Sequence, residues 1–482
     1  MNYRIVIRVS GLLLLVEAAA MMVSLAVSLA SGGSDAMAFV WSVVACAVPG
    51  GMAVILTRRI PQTITRREGF LIVALVWLIF SLFGALPYVL SGTIPRYTDA
   101  FFETMSGFST TGASIVDDID AFSRGILFWR SVTHWLGGMG IIVLFLSMMP
   151  AFGIGGMQLY DAEAPGLTVE KITPRIHQTA RIVWGVYVLL TLIEAVLLML
   201  GGMSLFDSVC HAFATMATGG FSTKQASIAF WPSPYIQYVI ILFMFLAGTN
   251  FTLLYFAGRG KLSRIIRDEE FRYYFLFVLG FTILIFSGLL ITTTLPAETA
   301  FRNSLFTVVA IITTTGFATT DYLMWTPVLY MLIFILFFFG GSTGSTGGGV
   351  KIMRIVLLLK NSYYELRRII HPSAVIPVRF NGRAVESRII SNVLAFFMFY
   401  LMVFFVSTVV LMMFVGDMDT SMGAVASCLG NIGPGLGSVG PAFTYSHIPD
   451  AGKWFLSFLM MLGRLELFTV LVIFSPSYWT DQ

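Results

Sequence analysis

Four short glycine-bearing stretches hold the chemistry this sequence can do: TTGAS (110–114), ATGGFST (217–223), TTTGFATT (313–320) and NIGPGLG (431–437). Each combines small polar side chains with glycine and carries no charge, so none offers an activated nucleophile, an acid–base pair or a set of metal-binding side chains. What they offer is backbone carbonyl oxygen. Glycine takes dihedrals closed to other residues, which lets successive carbonyls turn the same way, and rings of such oxygens can replace the hydration shell of a monovalent cation. Aligned on glycine, Gly112, Gly219, Gly316 and Gly433 stand in register, roughly 100 residues apart each time. The candidate ligands are therefore Thr110, Thr111 and Gly112, then Thr218 and Gly219, then Thr315 and Gly316, then Asn431, Ile432 and Gly433. A single threonine–glycine cluster between apolar runs is more often a helix-packing motif. Four in register point to a pore.

The elements that must position these strands are legible beside them. Each cluster follows a short apolar segment: DAFFETMSGFS from Asp99, LFDSVCHAFATM from Leu205, AFRNSLFTVVAII from Ala300 and DTSMGAVASCLG from Asp419. A dozen or so residues cannot cross about 30 Å of hydrocarbon, so each segment reads as a re-entrant half-helix. Its C-terminal partial negative charge would favour a cation beyond its end. Non-helical backbone at that depth must be enclosed by protein or line a water-filled cavity.

Ten apolar runs are long enough, or nearly so, to span, from 11–30 to 454–474. The fold expected is an all-α polytopic membrane protein with four span–re-entrant helix–span repeats around a pseudo-fourfold pore, preceded by two extra transmembrane helices. The organisation is 1–68 for those helices and a basic loop, 69–155 for the first repeat, 156–258 for the second, 259–360 for the third with a glycine-rich loop, 361–388 for a cytoplasmic loop, and 389–482 for the fourth.

Composition agrees. Of 482 residues 57% are hydrophobic and 11% charged, the balance of an integral membrane protein rather than a soluble enzyme. Cys46, Cys210 and Cys428 are too far apart to suggest a disulfide framework or a zinc site. A membrane-embedded enzyme would need His, Asp or Glu clustered at membrane depth, and the sequence shows none. Arginine and lysine collect in alternate loops: Arg58, Arg59, Arg66 and Arg67; Lys171, Arg175 and Arg181; Arg259, Lys261, Arg264, Arg267 and Arg272; and the long connection from Lys351 to Arg388. Those loops are cytoplasmic by the positive-inside rule, as are both termini. The intervening loops carry Asp117, Asp118, Asp120, Glu298, Asp321, Asp417, Asp419 and Asp450 and face outward.

Other features lie near the pore. GGSTGSTGGGVK (340–351) interrupts an apolar helix with glycines and hydroxyls. It is not a phosphate-binding loop, because Lys351 follows Val350 and precedes Ile352 instead of completing Gly-Lys-Ser/Thr. Arg464 is read as lying midway along the last span, where a charge is costly and marks a functional candidate. Glu466, two residues on, cannot face it on a helix. Glu17 and Glu194 also lie within spans, without an assigned role. A secondary transporter with a midplane site is the competing class, but it would be supported by inverted repeats, and these four all enter and leave on one side. In the loop 351–388, KNSYYELRRIIHP mixes apolar and basic residues as a docking helix would. A separate regulatory protein is expected on it and on 259–272, since the chain shows no nucleotide-binding fingerprint of its own.

The arrangement resembles the Trk/Ktr/HKT superfamily of cation transporters, and within it the bacterial Trk-type potassium-uptake membrane subunits. The motifs that carry the resemblance are REGFLIV at Arg67, WLGGMGIIVL at Trp135, GGMQLY at Gly155, GGFST at Gly219, STGGGVK at Ser345, NIGPGLG at Asn431 and GRLELFT at Gly463. The resemblance implies potassium as the ion carried, with no organic cofactor and no nucleic acid, in a bacterial inner membrane. It implies a pseudo-tetrameric pore in each subunit of a homodimer, and a cytoplasmic nucleotide- or NAD-binding regulatory subunit. It also implies a gate built from the glycine-rich loop, with Gly344, Gly347, Gly348 and Gly349, and from Arg464 reaching the conduction path. In sodium-favouring relatives serine often replaces the first-repeat glycine, so Gly112 favours potassium. Symport with sodium or protons stays open. The fourth strand departs from the threonine–glycine pattern at Ile432, which implies less symmetric coordination on that side.

Overall fold

The computed structural model describes residues 2–58, 65–138, 140, 176–373 and 376–480. Arg59, Lys171, Arg175, the GGMQLY motif, the end of the fourth apolar run and the 155/156 boundary lie outside the described residues.

Two long helices come first, α1 (Tyr3–Ala30) and α2 (Ala36–Leu56). They cross where Gly11 meets Gly50: a Cβ on either would lie 2.9 Å from the other's carbonyl oxygen, the small-residue contact that lets membrane helices pack backbone to backbone. The first repeat opens with α3 (Arg66–Gly84) and the short α4 (Leu86–Leu90), followed by the half-helix α5 (Tyr97–Phe108) and α6 (Arg124–Gly138). A capping box starts α3, with Glu68 N–H donating to Thr65 Oγ1 and Thr65 N–H donating to Glu68 Oε2; it satisfies amides the helix cannot pair internally.

The second repeat is α7 (Ile176–Leu200), half-helix α8 (Leu205–Met216), then α9 (Pro234–Ala247) and α10 (Phe251–Gly258), which meet at 110°. After α11 (Leu262–Arg267), the third repeat runs through α12 (Glu269–Thr292), half-helix α13 (Ala297–Ile312), α14 (Pro327–Leu336), the glycine-rich loop and α15 (Ile352–Ile370). The fourth comprises α16 (Ser387–Val415), half-helix α17 (Met418–Gly430), α18 (Asp450–Arg464) and α19 (Leu467–Leu471). The four-repeat, helical fold expected from the sequence is present. Its one non-helical pairing among the described residues is a two-residue hairpin, β1 (Arg379–Phe380) against β2 (Arg383–Ala384).

Among the described residues, six helices are long and apolar enough to cross a membrane, or eight if each bent pair is one span, where ten runs were expected. Part of the difference is that the end of the fourth run lies outside the described residues; the rest has a location. The second helix of repeats two, three and four is interrupted, at Gly248, over 337–351 and at Arg464. These breaks fall where the helix passes the end of a half-helix: Cβ atoms on Gly248 and Gly463 would press on Thr313 and on Asn431, at 2.6 and 2.9 Å. On the outside, apolar side chains such as Leu192, Val196, Ile283, Met402 and Phe405 are exposed, as hydrocarbon contact requires.

Candidate functional site

All four half-helices end alike. Beyond each, the next two N–H groups turn back onto its last carbonyls: Thr110 to Gly107 at 3.1 Å and Thr111 to Ser106 at 2.9 Å, Thr218 to Thr215 at 2.9 Å and Gly219 to Ala214 at 2.8 Å. Thr314 and Thr315 do the same to Ile311 and Ala310 at 2.9 and 2.8 Å, and Asn431 and Ile432 to Cys428 and Ser427 at 3.4 and 2.9 Å. This Schellman-type ending needs a left-handed residue, and Thr110, Thr218, Thr314 and Asn431 supply it with φ of 54°, 54°, 59° and 54°. A threonine there costs on the order of 1–3 kcal/mol. With the amides turned inward to the helix, the strand carbonyls are free to face elsewhere.

This geometry corrects the sequence register. Two residues after each left-handed position stands a second positive φ, at Gly112 (81°), Gly220 (79°), Gly316 (75°) and Gly433 (104°). The second-repeat partner of Gly112 is therefore Gly220, and Gly219 is equivalent to Thr111, Thr315 and Ile432. Gly219 is glycine for a different reason: a Cβ there would lie 2.6 Å from Cε1 of the buried His134 ring. Counting from the end of the half-helix, rather than matching the first glycine, would have found this register.

The strands close on one another in chain order. A Cβ on Gly112 would collide with the carbonyl oxygen of Gly219, one on Gly220 with that of Thr315, and one on Gly316 with that of Ile432. Gly433 closes the cycle onto Thr111, whose carbonyl oxygen lies 2.8 Å from the corresponding point. Four strands 320 residues apart at the extremes thus form one ring, and Asn431 Nδ2 donates to Thr111 Oγ1 across its seam at 2.9 Å. The ten strand residues named from the sequence lie within these four strands, with Gly220 in place of Gly219 at the second positive φ. Two cavities adjoin the ring and the glycine-rich loop that lies against it. One, of about 630 Å³, touches Gly112, Gly220, Gly316 and Gly433 and the acidic loops at Asp120 and Asp321. The hydrogen bond from Lys224 Nζ to Asp120, 2.9 Å, holds that carboxyl below its usual range. The other cavity, of about 1230 Å³, is bounded by Gly138, Gly347, Gly348 and Arg464 and by the basic segments around Arg264, Arg267 and Arg383.

Side chains unremarked in the sequence brace the first two strands. Glu103 and Arg130, both buried, pair at 2.6 Å. Glu103 accepts from Ser114 Oγ and Ile115 N–H, each at 3.0 Å, while Arg130 donates to the Ser222 carbonyl at 2.9 Å and lies 3.6 Å over the Phe221 ring. Phe221 stacks on His134 at 3.9 Å. In the second repeat His211 takes the place of Glu103 and reaches Ser222 Oγ at 2.9 Å. A charged pair whose members lie on a half-helix and on the following helix was the available signal.

The glycine-rich loop lies directly against the ring. Gly348 N–H donates to Thr314 Oγ1 at 2.7 Å, and Thr346 Oγ1 donates to the Met216 carbonyl at 3.0 Å. A Cβ on Gly348 would lie 2.8 Å from the Gly430 carbonyl oxygen, and one on Gly347 2.9 Å from that of Thr313. Gly344 and Gly349 have φ of 77° and 63°, and the Gly344 carbonyl accepts from Phe251 N–H at 3.1 Å. Glu270 accepts from the amides of Thr343 and Met353, at 2.6 and 3.2 Å, and so grips both sides of the loop.

Arg464 is not midway along a continuous span. It is the last residue of α18, where the chain bends by 114°. Its guanidinium donates to the Thr346 carbonyl at 2.6 Å and to those of Gly137 and Gly138 at 2.7 and 2.8 Å. Loop and arginine together touch all four repeats. Glu466, at a left-handed φ of 55°, pairs with Arg354 on α15. Glu17 and Glu194 are fully buried, and the structure gives neither a salt bridge among the described residues. No group of three or more His, Cys, Asp or Glu able to hold a metal ion occurs among the described residues; the oxygen-rich feature is the carbonyl ring.

Fold and ring define the class: a polytopic helical membrane transport protein of four span–re-entrant helix–span repeats. The chain belongs to the TrkH family of cation transport proteins, whose family model matches residues 35–480. It is 39% identical to the Trk system potassium uptake protein TrkH of Halomonas elongata, over 99% of this chain and all of that one. It is equally similar to the protein of that name from Escherichia coli K12, over the full length of both. The crystal structure of the potassium transporter TrkH from Vibrio parahaemolyticus superposes with a TM-score of 0.90 at 37% identity, covering both chains entirely.

Proposed function

We propose that this protein carries potassium across a bacterial inner membrane through a channel-like pore whose selectivity filter is the four-strand ring. The observation that carries the reading is the closed cycle in which Gly112, Gly220, Gly316 and Gly433 each abut a carbonyl of the neighbouring strand. Carbonyls of Thr111, Gly219, Thr315 and Ile432 form the tightest ring, where an ion exchanges water for backbone oxygen. Potassium rather than another cation is supported by relatives named as potassium uptake proteins along the whole chain and by glycine at position 112.

In this reading the acidic cavity is the outer mouth and the basic cavity the inner one, with both termini cytoplasmic, as the distribution of arginine supports. The loop 340–351 and Arg464 form the gate. A cytoplasmic nucleotide-binding subunit moves it, docking on α15 and the segment 259–272; the protein works as a homodimer in contact with membrane lipid. Support for one docking surface comes from the hairpin, since Asn381 bonds to both Asp268 and Glu269 at the start of α12.

The test is potassium and sodium flux through purified protein in liposomes, with and without an imposed proton gradient. Potassium flux that exceeds sodium flux and needs no proton gradient supports the reading. Flux that requires the gradient would move the protein to the coupled-symporter class, and flux that favours sodium would overturn the potassium reading.

A further inference from the structure

Of the carbonyls of 110–112, 218–220, 314–316 and 431–433, only that of Gly433 accepts a hydrogen bond from a described residue, and it accepts two. Ser427 Oγ donates at 2.6 Å and Tyr445 Oη at 2.9 Å. Both donors are buried, Ser427 fully and Tyr445 to within 2%. Ser427 belongs to α17, the half-helix behind the fourth strand, so a carbonyl bonded to it points back into the protein. Tyr445 is itself fixed: its N–H donates to the Ser114 carbonyl at 2.8 Å and its ring packs 5.6 Å from Phe102. Two further observations agree. Gly433 has a φ of 104°, against 75–81° for its three counterparts. A Cβ there would lie 2.8 Å from the neighbouring carbonyl oxygen, still too close but looser than the 1.8–2.1 Å at the other three.

We infer that Ser427 and Tyr445 are specificity-determining residues, which withdraw the Gly433 carbonyl from the pathway and leave the outermost layer of the filter with three carbonyl ligands instead of four. The inference rests on the strand ring being the filter. A carbonyl whose lone pairs are both engaged by buried hydroxyls cannot ligate an ion without losing those bonds. The number of carbonyls around an ion is one of the quantities that set its preference between potassium and the smaller sodium ion. A three-carbonyl layer leaves the fourth lateral position to water, which serves sodium better than a full ring does. The hydroxyls thus hold the filter at a lower potassium preference than four equivalent strands would give.

Ser427→Ala and Tyr445→Phe each remove one hydroxyl oxygen with little change in volume. The experiment measures potassium and sodium flux in liposomes for the parent, Ser427→Ala with Tyr445→Phe, Ser427→Thr and Gly316→Asp. Release of the carbonyl raises the potassium-to-sodium flux ratio of the double variant about threefold or more, while Ser427→Thr, which keeps a donor, stays at the parent ratio. A double variant that loses both fluxes equally, or keeps the parent ratio, overturns the inference and leaves only a packing role. Should the double variant fail to insert, Ser427→Ala and Tyr445→Phe are measured singly: a raised ratio in either supports the inference and an unchanged ratio in both overturns it. Gly316→Asp separates the two levels. Abolished flux there with no ratio change in the hydroxyl variants sinks this inference alone, whereas undiminished flux in Gly316→Asp sinks the filter reading beneath it.

Discussion

A side chain at Gly316 would drive its Cβ into the carbonyl oxygen of Ile432, the nearest residue of the next repeat. Gly112 and Gly220 stand in the same relation to Gly219 and Thr315, and Gly433 in a looser one to Thr111. Alanine at each position should therefore rank the ring. Gly220→Ala and Gly316→Ala are expected to lower potassium flux more than tenfold, from the collision and from about 1–2 kcal/mol of left-handed strain. Gly433→Ala should be milder, and Gly112→Ser should lower the potassium-to-sodium ratio by displacing the Gly219 carbonyl. Flux assays on equal amounts of reconstituted protein read the order; four equal effects would contradict the asymmetry described here.

Arg464 ties the loop to the first repeat through three carbonyls, and bonds from a charged donor contribute about 1.5–3 kcal/mol each. Arg464→Ala, or shortening of 340–349, should raise flux through the isolated subunit by tenfold or more. Flux at or below the parent level would make both features structural.

The Arg354–Glu466 pair joins α15, which follows the loop, to the bend that carries Arg464. Arg354→Ala and Glu466→Ala should each raise flux, and the double variant should raise it little further, with a coupling of roughly 1–3 kcal/mol in a double-mutant cycle. Strictly additive effects would show that the pair does not link the loop to the bend.

Much of this site was legible because its signals are short-range. A half-helix of a dozen residues followed by a glycine strand can be read wherever it occurs, and its fourfold recurrence supplied the architecture. The errors came from facts no local pattern encodes. Gly219 looked like the ring glycine since it comes first in GGFST, yet its missing side chain makes room for His134 from the preceding repeat. Arg464 looked mid-span because the apolar run continues past it, whereas the helix breaks there to aim the guanidinium at Thr346, Gly137 and Gly138. The withdrawal of the Gly433 carbonyl depends on a tyrosine twelve residues away, with nothing in its neighbourhood to single it out.

The proposed docking role of α15 can be tested through its exposed face. On α15, Leu366, Ile369 and Ile370 are 63%, 74% and 70% exposed, and Arg367 lies over the Tyr363 ring. Arg368 instead pairs with Glu365 and donates to the Ile376 carbonyl at 2.6 Å. Arg367→Glu with Arg368→Glu should abolish co-purification with the proposed regulatory subunit, and Arg367→Glu alone should weaken it, with insertion and basal flux intact. Undiminished capture by the double variant would leave these arginines with only their topological role.

In the proposed filter, four strand carbonyls from four repeats surround one cation. Anomalous scattering from crystals of the protein grown with rubidium, a potassium stand-in of similar size, tests it most directly. A peak is expected on the axis between the carbonyl oxygens of Thr111, Gly219, Thr315 and Ile432, and it should disappear in Gly316→Asp. Rubidium peaks confined to the cavities on either side, with none inside the ring, would contradict the proposed filter.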